Sequence, residues 1–489
     1  MQAPRTLPPP RKPLPPPKRS LPGADYFSPG TAVILVIALL STLLVMVLPI
    51  PRRDGLEFWT FSTAHQKTYQ PMAREWNDQV KRSGQGKPAH LFAIESRAMQ
   101  RRILSGFWAG TPLADLLEVE GGWFYKFVTG PIEDVGFADL TSRLHDEGIY
   151  ETINPPSFSP WTSGGRIFGL PHDVHPMLLA YRADIVEDEL GIDVSQIQTW
   201  DDFARVMSAV VKDTDGDGRP DRYALNFWFN DADALEVLML QADGGTFDID
   251  GQLIMSCESN ARVLATAVHW CFGPGRIAIS APDFEAGGNQ LRLDGKVVCT
   301  LMPDWLAGVW KRDLPQLSGK IKLVPLPAWE PGGRRTSVRG GTMLGIAKST
   351  ESFEDAWAFA KHLYLSEEVA QALFRNSNII SPVRKYWGKD FYHVPDPYFG
   401  GQPSGTLFIE QAPDVPLRPS HSYRIIARME IGQIANELRD FADAKGDYTV
   451  AGLLPEARRL LKEAEQRILK QMERNVFLRE GRDTAEVSP

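Results

Sequence analysis

The sequence predicts an α/β protein behind an apolar N-terminal segment. Three observations carry this. From residue 55 onward, short runs rich in aromatic and branched residues alternate with amphipathic helical stretches, the pattern of α/β domains with parallel sheets. The chain has 489 residues, which exceeds one ordinary domain and points to two domains or one large bilobed one. A near-continuous apolar run fills Ala32–Leu48. Composition narrows the class further. With 43% hydrophobic and 23% charged residues, the chain can bury a sizeable core, which excludes global disorder, a collagen and a polytopic membrane protein. A net charge of −8 argues against a dedicated nucleic-acid binder. The three cysteines, Cys257, Cys271 and Cys299, form no CxxC pair, so neither a disulfide framework nor a cysteine-rich zinc site is expected. The 13 tryptophans direct attention to clefts, although most tryptophans pack in cores.

Residues 1–29 contain ten prolines interspersed with Arg5, Arg11, Lys12, Lys18 and Arg19, so this leader is expected to be extended or disordered. The apolar run that follows is broken only by Ser41 and Thr42, and residues 30–50 are just long enough to cross a bilayer as a helix. Five basic residues precede the run and only Arg52 and Arg53 follow closely, which places the N-terminus in the cytoplasm and the rest outside. The charged leader is long, no A-x-A site follows, and no cysteine follows that could carry a lipid. An uncleaved single-pass anchor is therefore expected in place of a cleaved signal.

Leu56–Phe61 (LEFWTF) reads as the first strand, with Ser62 and Thr63 placed to cap a helix. Tyr69, Met72, Ala73 and Trp76 lie on one face of that helix. His90–Ile94 is a second strand, Met99–Ala109 a helix ended by Gly110, and Leu113–Val119 a third strand leading into Glu120-Gly121-Gly122-Trp123. In open sheets of this kind ligands bind beyond the carboxyl ends of strands, where Trp59, Ser62, Glu120 and Trp123 all fall. Val297–Met302 is strand-like, and Pro303 releases Trp305 from its end. Near the C-terminus, Ala457, Leu460, Leu461, Ala464, Ile468 and Met472 form the apolar face of a helix over 456–472. Residues 474–489 read as a tail.

Taken in order, these segments resemble the family 1 extracellular solute-binding proteins, the binding components of ABC importers that include the maltose-binding protein. The likeness runs over about 55–473 and rests on LEFWTF, Leu113–Trp123 (LADLLEVEGGW), Ile167–Pro171 (IFGLP), Leu179–Asp184 (LAYRAD) and Thr199–Asp202 (TWDD). It continues through Gly244–Gly251 (GGTFDIDG), Asp294–Trp305 (DGKVVCTLMPDW), Val324–Pro327 (VPLP), Gly340-Gly341, Ala356–Leu365 (AWAFAKHLYL) and Leu417–Tyr423 (LRPSHSY). The resemblance implies a two-lobed periplasmic-binding-protein-like fold of type II. Lobe one would comprise 54–170 and 306–379, and lobe two 171–305 and 380–473. It also implies a carbohydrate bound without turnover in the interlobe cleft, ABC permease subunits as partners, and a stacking role for Trp305. The leader departs from the family, most of whose members carry a cleaved signal or a lipid. A membrane-anchored receptor or scaffold that uses the same fold to bind a protein is the alternative reading.

A sugar ring lies its C–H face on an aromatic ring and needs polar groups at its edge. Trp59, Trp123, Trp228, Trp305 and Tyr423 are the candidate aromatics, with core packing as the other reading of Trp59 and Trp123. Glu120 and Asp173 are candidate hydroxyl acceptors. Gly340 and Gly341 would admit close backbone approach or simply make a turn, and Arg339 stands beside them. Asp213–Asp221 (DTDGDGRPD) matches the first nine positions of an EF-hand loop, with Asp213, Asp215, Asp217 and Asp221 as side-chain ligands and the Arg219 carbonyl at position 7. Position 12 is Ala224, so a structural Ca2+ would lack the usual bidentate glutamate; the same residues also make good turns. His172 and His175, flanked by Pro171 and Pro176, read as solvated histidines. No GxSxG, HExxH or P-loop pattern points to an enzyme.

Overall fold

A computed structural model describes residues 29–47 and 54–475, in two units: one up to Asp54 and one from Gly55 onward. The first unit contains the helix Pro29–Val47, whose described side chains are mostly apolar and exposed, Ile34 at 69% and Leu40 at 64%. Among the described residues no helix is long and apolar enough to cross a membrane. The leader 1–28, the end of the apolar run at 48–50 and the tail 476–489 lie outside the described residues.

The second unit holds two five-stranded sheets and a short hairpin. In chain order the strands are β1 (Leu56–Thr60), β2 (Ala89–Ala93), β3 (Leu116–Glu120), β4 (Thr162–Ser163), β5 (Arg166–Ile167), β6 (Leu170–Pro171), β7 (Met177–Arg182), β8 (Tyr223–Asn226), β9 (Ala278–Ile279), β10 (Val297–Pro303), β11 (Ile321–Pro325) and β12 (Thr342–Ile346). Sheet one has the order β2-β1-β3-β12-β6 and sheet two β11-β7-β10-β8-β9, while β4 and β5 form the hairpin.

Both sheets are mixed, where strand–helix alternation predicts parallel ones. β1 runs parallel to β2 and β3, but β12 is antiparallel to β3 and β6. In sheet two β8 is parallel to β9 and β10, and β7 is antiparallel to β10 and β11. The reason is connectivity. The chain leaves sheet one at β6 and enters sheet two at β7 after residues 172–176, then returns from β11 to β12. A strand that arrives from the other sheet is free of the right-handed helical crossover that keeps neighbours parallel.

Local chemistry sets the element ends. The Ser62 hydroxyl accepts from the His65 N–H and starts the helix Thr63–Ser83, and Gly84 ends it at φ 68°. Thr199 and Asp202 close a capping box on Trp200–Met207. Successive strand side chains face opposite ways. Phe58 therefore joins a core with Leu116, Leu344 and Trp357, while Trp59 joins another with Met99, Val119 and Trp161. Sheet two does the same: Leu178 and Met302 face the first core, and Leu179 and Leu301 face a third with Trp200, Trp270 and Leu461. Trp270 and Trp357 are buried as expected, and Trp76 packs half-buried against the first core. The closing helix runs from Val450 to Arg474, and the apolar residues named for it are all buried.

β11 lies in sheet two, within a stretch that the resemblance assigns to lobe one. Ile380, Tyr392, Phe408 and Val415 pack into the first core, within a stretch assigned to lobe two. The helices Arg424–Lys445 and Val450–Arg474 then return to the core around sheet two. The chain thus passes between the sheets at 172–176, 326–341 and again near 416–423.

Candidate functional site

Strand ends and crossings converge on one region. Sheet one contributes Glu120 at the end of β3 and the helical turns that follow, which carry Trp123 and Tyr125. Sheet two contributes Trp305 just past β10, and Asp231 and Asp233 at the start of the helix Ala232–Gln241. Arg339, Gly340 and Gly341 belong to the second crossing, and Arg418, Arg424 and Arg428 to the third and the helix it enters.

The two glycines are a backbone junction. Their φ angles are 95° and 115°, and a Cβ would come within 2.8 Å of Trp305 Nε1 at Gly340 and 3.0 Å of an Arg418 nitrogen at Gly341. Gly121 N–H donates to the Gly341 carbonyl at 2.7 Å, and the Arg418 guanidinium donates to the Gly340 carbonyl. Trp305 is half-buried, and its indole N–H donates to the Arg339 carbonyl at 2.9 Å. Phe284, 64% exposed at φ 65°, stacks on Trp305 with centroids 5.9 Å apart and planes at 8°. Trp228 is 40% exposed and lines a small cavity with Phe227, Asp283 and Arg339.

Charge is dense here. Arg424 donates to Glu236 at 2.7 Å, Arg428 pairs with Asp233, and Arg339 donates to Asp283 at 3.0 Å. Burial raises the Glu236 carboxyl, but Arg424, Arg428 and Arg418 outweigh it and hold it at about 2. Burial, then Arg424, pulls the Arg418 guanidinium down to about 10. Burial pushes Glu120 above its usual range, Asp233 adds to that, and Arg418 opposes it. Asp231 is raised in the same way, by burial and then by Asp233. Burial also raises Tyr125, and the charges it senses are Arg428, Arg424, Asp233 and Glu236. Groups hung on sheet one thus feel charges hung on sheet two. The result is a cluster of half-buried carboxyls of raised proton affinity in the region that carries Trp305 and the exposed Phe284 and Trp228.

Other expected site residues have different roles. Trp59 and Trp123 are only 7% and 8% exposed and belong to a hydrophobic core. The Arg102 guanidinium covers the Trp59 ring at 4.8 Å, and Phe61 packs edge-on to Trp123 at 5.5 Å. Ser62 is a helix cap. The Tyr423 hydroxyl donates to the Gln471 carbonyl at 3.2 Å, which ties it to the closing helix. Asp173 is buried as a hub: His172 Nδ1 and His175 Nε2 each lie 2.8 Å from its Oδ2. His175 Nδ1 lies 2.7 Å from Asp304 Oδ1. The histidines expected in solvent are each only 3% exposed, because the crossing that carries them is covered from both sheets.

The aspartate loop is exposed, and ligand atoms of Asp213, Asp215 and Asp217 lie within 4.8 Å of one another. Asp213 accepts from the Gly216 and Gly218 N–H groups, and Asp217 accepts from the Arg219 N–H. Asp221 is engaged differently, by Thr214 and the Lys296 ammonium, and those contacts hold its carboxyl at about 2.

Phe284, Tyr125, Asp231 and Arg418 were not singled out from sequence. Arg418 sits inside LRPSHSY, a segment that was recognised, so a basic residue in a crossing was the available signal. The others carry no motif.

Two mixed sheets joined by three crossings, with a charged and aromatic region where the crossings meet, make a two-lobed α/β protein. Comparison with known proteins gives the family: residues 93–387 match the bacterial extracellular solute-binding proteins, and the chain belongs to that family. The chain is 27% identical over 350 residues to the arabinooligosaccharide-binding protein of Bacillus subtilis, covering 69% of this chain and 77% of that one. Against the protein of the same description from Halalkalibacterium halodurans it is 24% identical over 347 residues, covering 70% and 75%. Among solved structures, the sugar-binding protein MalE from Xanthomonas citri superposes with a TM-score of 0.67 at 18% identity, over 86% of this chain and 99% of that one. An ABC-transporter-associated binding protein from B. animalis subsp. lactis, in complex with β-1,6-galactobiose, gives a TM-score of 0.60 at 16% identity, over 85% and 98%.

The buried hub makes stability depend on pH. Burial opposes the charge on His175, but Asp173 and Asp304 outweigh it and raise the imidazole to about 10. Its stabilising contribution is complete below its ordinary value of about 6.5 and is lost as pH rises toward the folded one. Asp173, lowered despite its burial by His175 and His172, acts at the other end and is lost only in strong acid. Urea melts between pH 6 and pH 10 should show stability falling with pH, and His175→Gln should flatten that slope. A wild-type slope unchanged by His175→Gln would show that other groups set it.

Proposed function

We propose that this protein is the sugar-binding subunit of an ABC importer and takes a neutral arabino-oligosaccharide in the cleft between its sheets, without chemical turnover. The observation that carries this is the cleft itself. Glu120 and Asp231 are half-buried and raised in proton affinity, and Asp231 pairs with Arg339, whose guanidinium lies over the Trp305 ring beside Phe284. Sugar hydroxyls donate to such carboxylates, and sugar C–H faces cover such rings. The description of the two curated relatives supports the choice of pentose oligomer. Ligand favours the closed arrangement of the lobes, and that arrangement is what a permease reads. The bound sugar is checked by calorimetry with arabinobiose and arabinotriose. Trp305→Ala should lose about 1–3 kcal/mol, roughly 5- to 150-fold in affinity. Unchanged binding would place the cleft elsewhere.

The main unit acts outside the cytoplasm, and we propose that residues 30–50 hold it to the membrane as a single uncleaved span. Its support is the apolar helix Pro29–Val47 and the basic leader before it. Membrane fractions should contain the full chain. A mature protein whose sequence starts beyond residue 48 overturns the anchor.

The aspartate loop is proposed to take Ca2+ in a structural role, with Asp213, Asp215 and Asp217 as ligands and the Arg219 carbonyl beside them. Asp221, paired with Lys296, is left out of that set. EGTA should lower the melting temperature of the wild type and leave the Asp215→Ala, Asp217→Ala variant unchanged. No effect of EGTA on the wild type would make the loop a turn only.

A further inference from the structure

β3 carries a second carboxylate on the same face as Glu120, two residues earlier in the strand. Glu118 is 0% exposed. Its Oε1 accepts from the Tyr69 and Tyr364 hydroxyls at 2.8 and 2.7 Å, its Oε2 accepts from the Thr60 hydroxyl, and His65 Nδ1 lies 3.1 Å from Oε2. His172, from the first crossing, lies over this group, with its ring centroid 4.7 Å from that of His65. The Asp173 carboxylate 2.8 Å from His172 Nδ1 holds the ring proton there, because an ionised carboxylate can only accept. That leaves a bare lone pair on Nε2. Among the described residues this buried nitrogen makes no hydrogen bond. A buried acceptor left unmatched is unfavourable, and a bound cation would match it.

One donor atom from each of His65, Glu118 and His172 lies within 4.8 Å of the other two, and all three residues are buried. We propose that these residues form a binding site for a divalent transition metal of the Zn2+ class, beneath the first crossing. Two imidazoles and one carboxylate are a known three-ligand set for four-coordinate zinc. A carboxylate on the outer nitrogen of a ligating histidine is the usual second partner, and Asp173 supplies it. Bonds of about 2.0–2.1 Å give a tetrahedral edge of about 3.3 Å, close to the 3.1 Å between His65 Nδ1 and Glu118 Oε2. The metal takes Nδ1 of a neutral His65, whose single ring proton then sits on Nε2. Two nitrogen donors select against Ca2+ and Mg2+, which prefer oxygen.

The test uses the full chain. Protein is incubated with Zn2+, both as purified and during refolding from urea, then desalted and assayed for bound metal. One equivalent should remain. Co2+ loading should give the visible absorption of a tetrahedral site. Both should be lost in His172→Ala and kept in the Asp215→Ala, Asp217→Ala variant, which removes the surface loop as the source. X-ray absorption on zinc-loaded wild type should show two imidazoles, a result that does not depend on a variant folding. Zinc no higher than the buffer blank under both loading conditions, full retention by His172→Ala, or an all-oxygen shell overturns the site. The sugar calorimetry is independent of each of these outcomes.

Discussion

A charged histidine locked between two buried aspartates holds the two sheets in register. His175 sits in the first crossing at φ 56° and lies within hydrogen-bond distance of Asp173 and Asp304. Burying such ions costs several kcal/mol each, and the cost is met only when every lone pair and proton is matched. Here they are matched. Asp304 also accepts from the Trp305 and Ile380 N–H groups, and Asp173 accepts from the Thr342 N–H at 3.3 Å. The hub therefore fixes the end of β10, the start of β12 and the chain after Ser377. Trp305 inherits its backbone position from it. The Gly340 junction lies against it too, since a Cβ there would come within 3.4 Å of the His175 ring. Removing one partner would leave an unmatched buried charge and disturb sheet one, sheet two and the cleft together.

How much of this could be read from sequence follows the range of each interaction. The strands, the capped helices and the apolar face of the closing helix are set by residues near one another, and they were legible. Strand direction was not, because β7 and β12 take theirs from crossings and not from local pattern. Burial of the histidines was hidden for a similar reason. The partner of His175 is 129 residues away, and two prolines beside a polar tetrapeptide look like a surface turn. Trp59 is a cleft candidate because it nears a strand end, with core packing as its other reading. Alternation along β1 sends it to the opposite face from Phe58, into a core. Trp305, Gly340, Gly341 and Glu120 were legible as candidates through the ordered family segments, while Phe284 and Tyr125 stand in loops and turns without a signature.

The cleft's charges also constrain its occupant. Most carboxylates there already have a guanidinium: Asp233 has Arg428, Glu236 has Arg424, and Asp283 has Arg292 and Arg339. Asp231 has Arg339 at the longer distance of 3.7 Å. An acidic or basic ligand that broke the buried Glu236–Arg424 or Asp283–Arg292 pair would leave its partner desolvated, a cost of several kcal/mol. A neutral ligand breaks none. Glu120 is the exception that gives such a ligand a grip. It feels Arg418 without a direct contact to it, and burial has already raised its affinity for a proton. A hydroxyl satisfies that need without bringing charge. The arginines serve the same end: Arg418 opposes the rise in Glu120, and Arg424 and Arg428 hold Glu236 ionised, so the acceptors are set before a donor arrives.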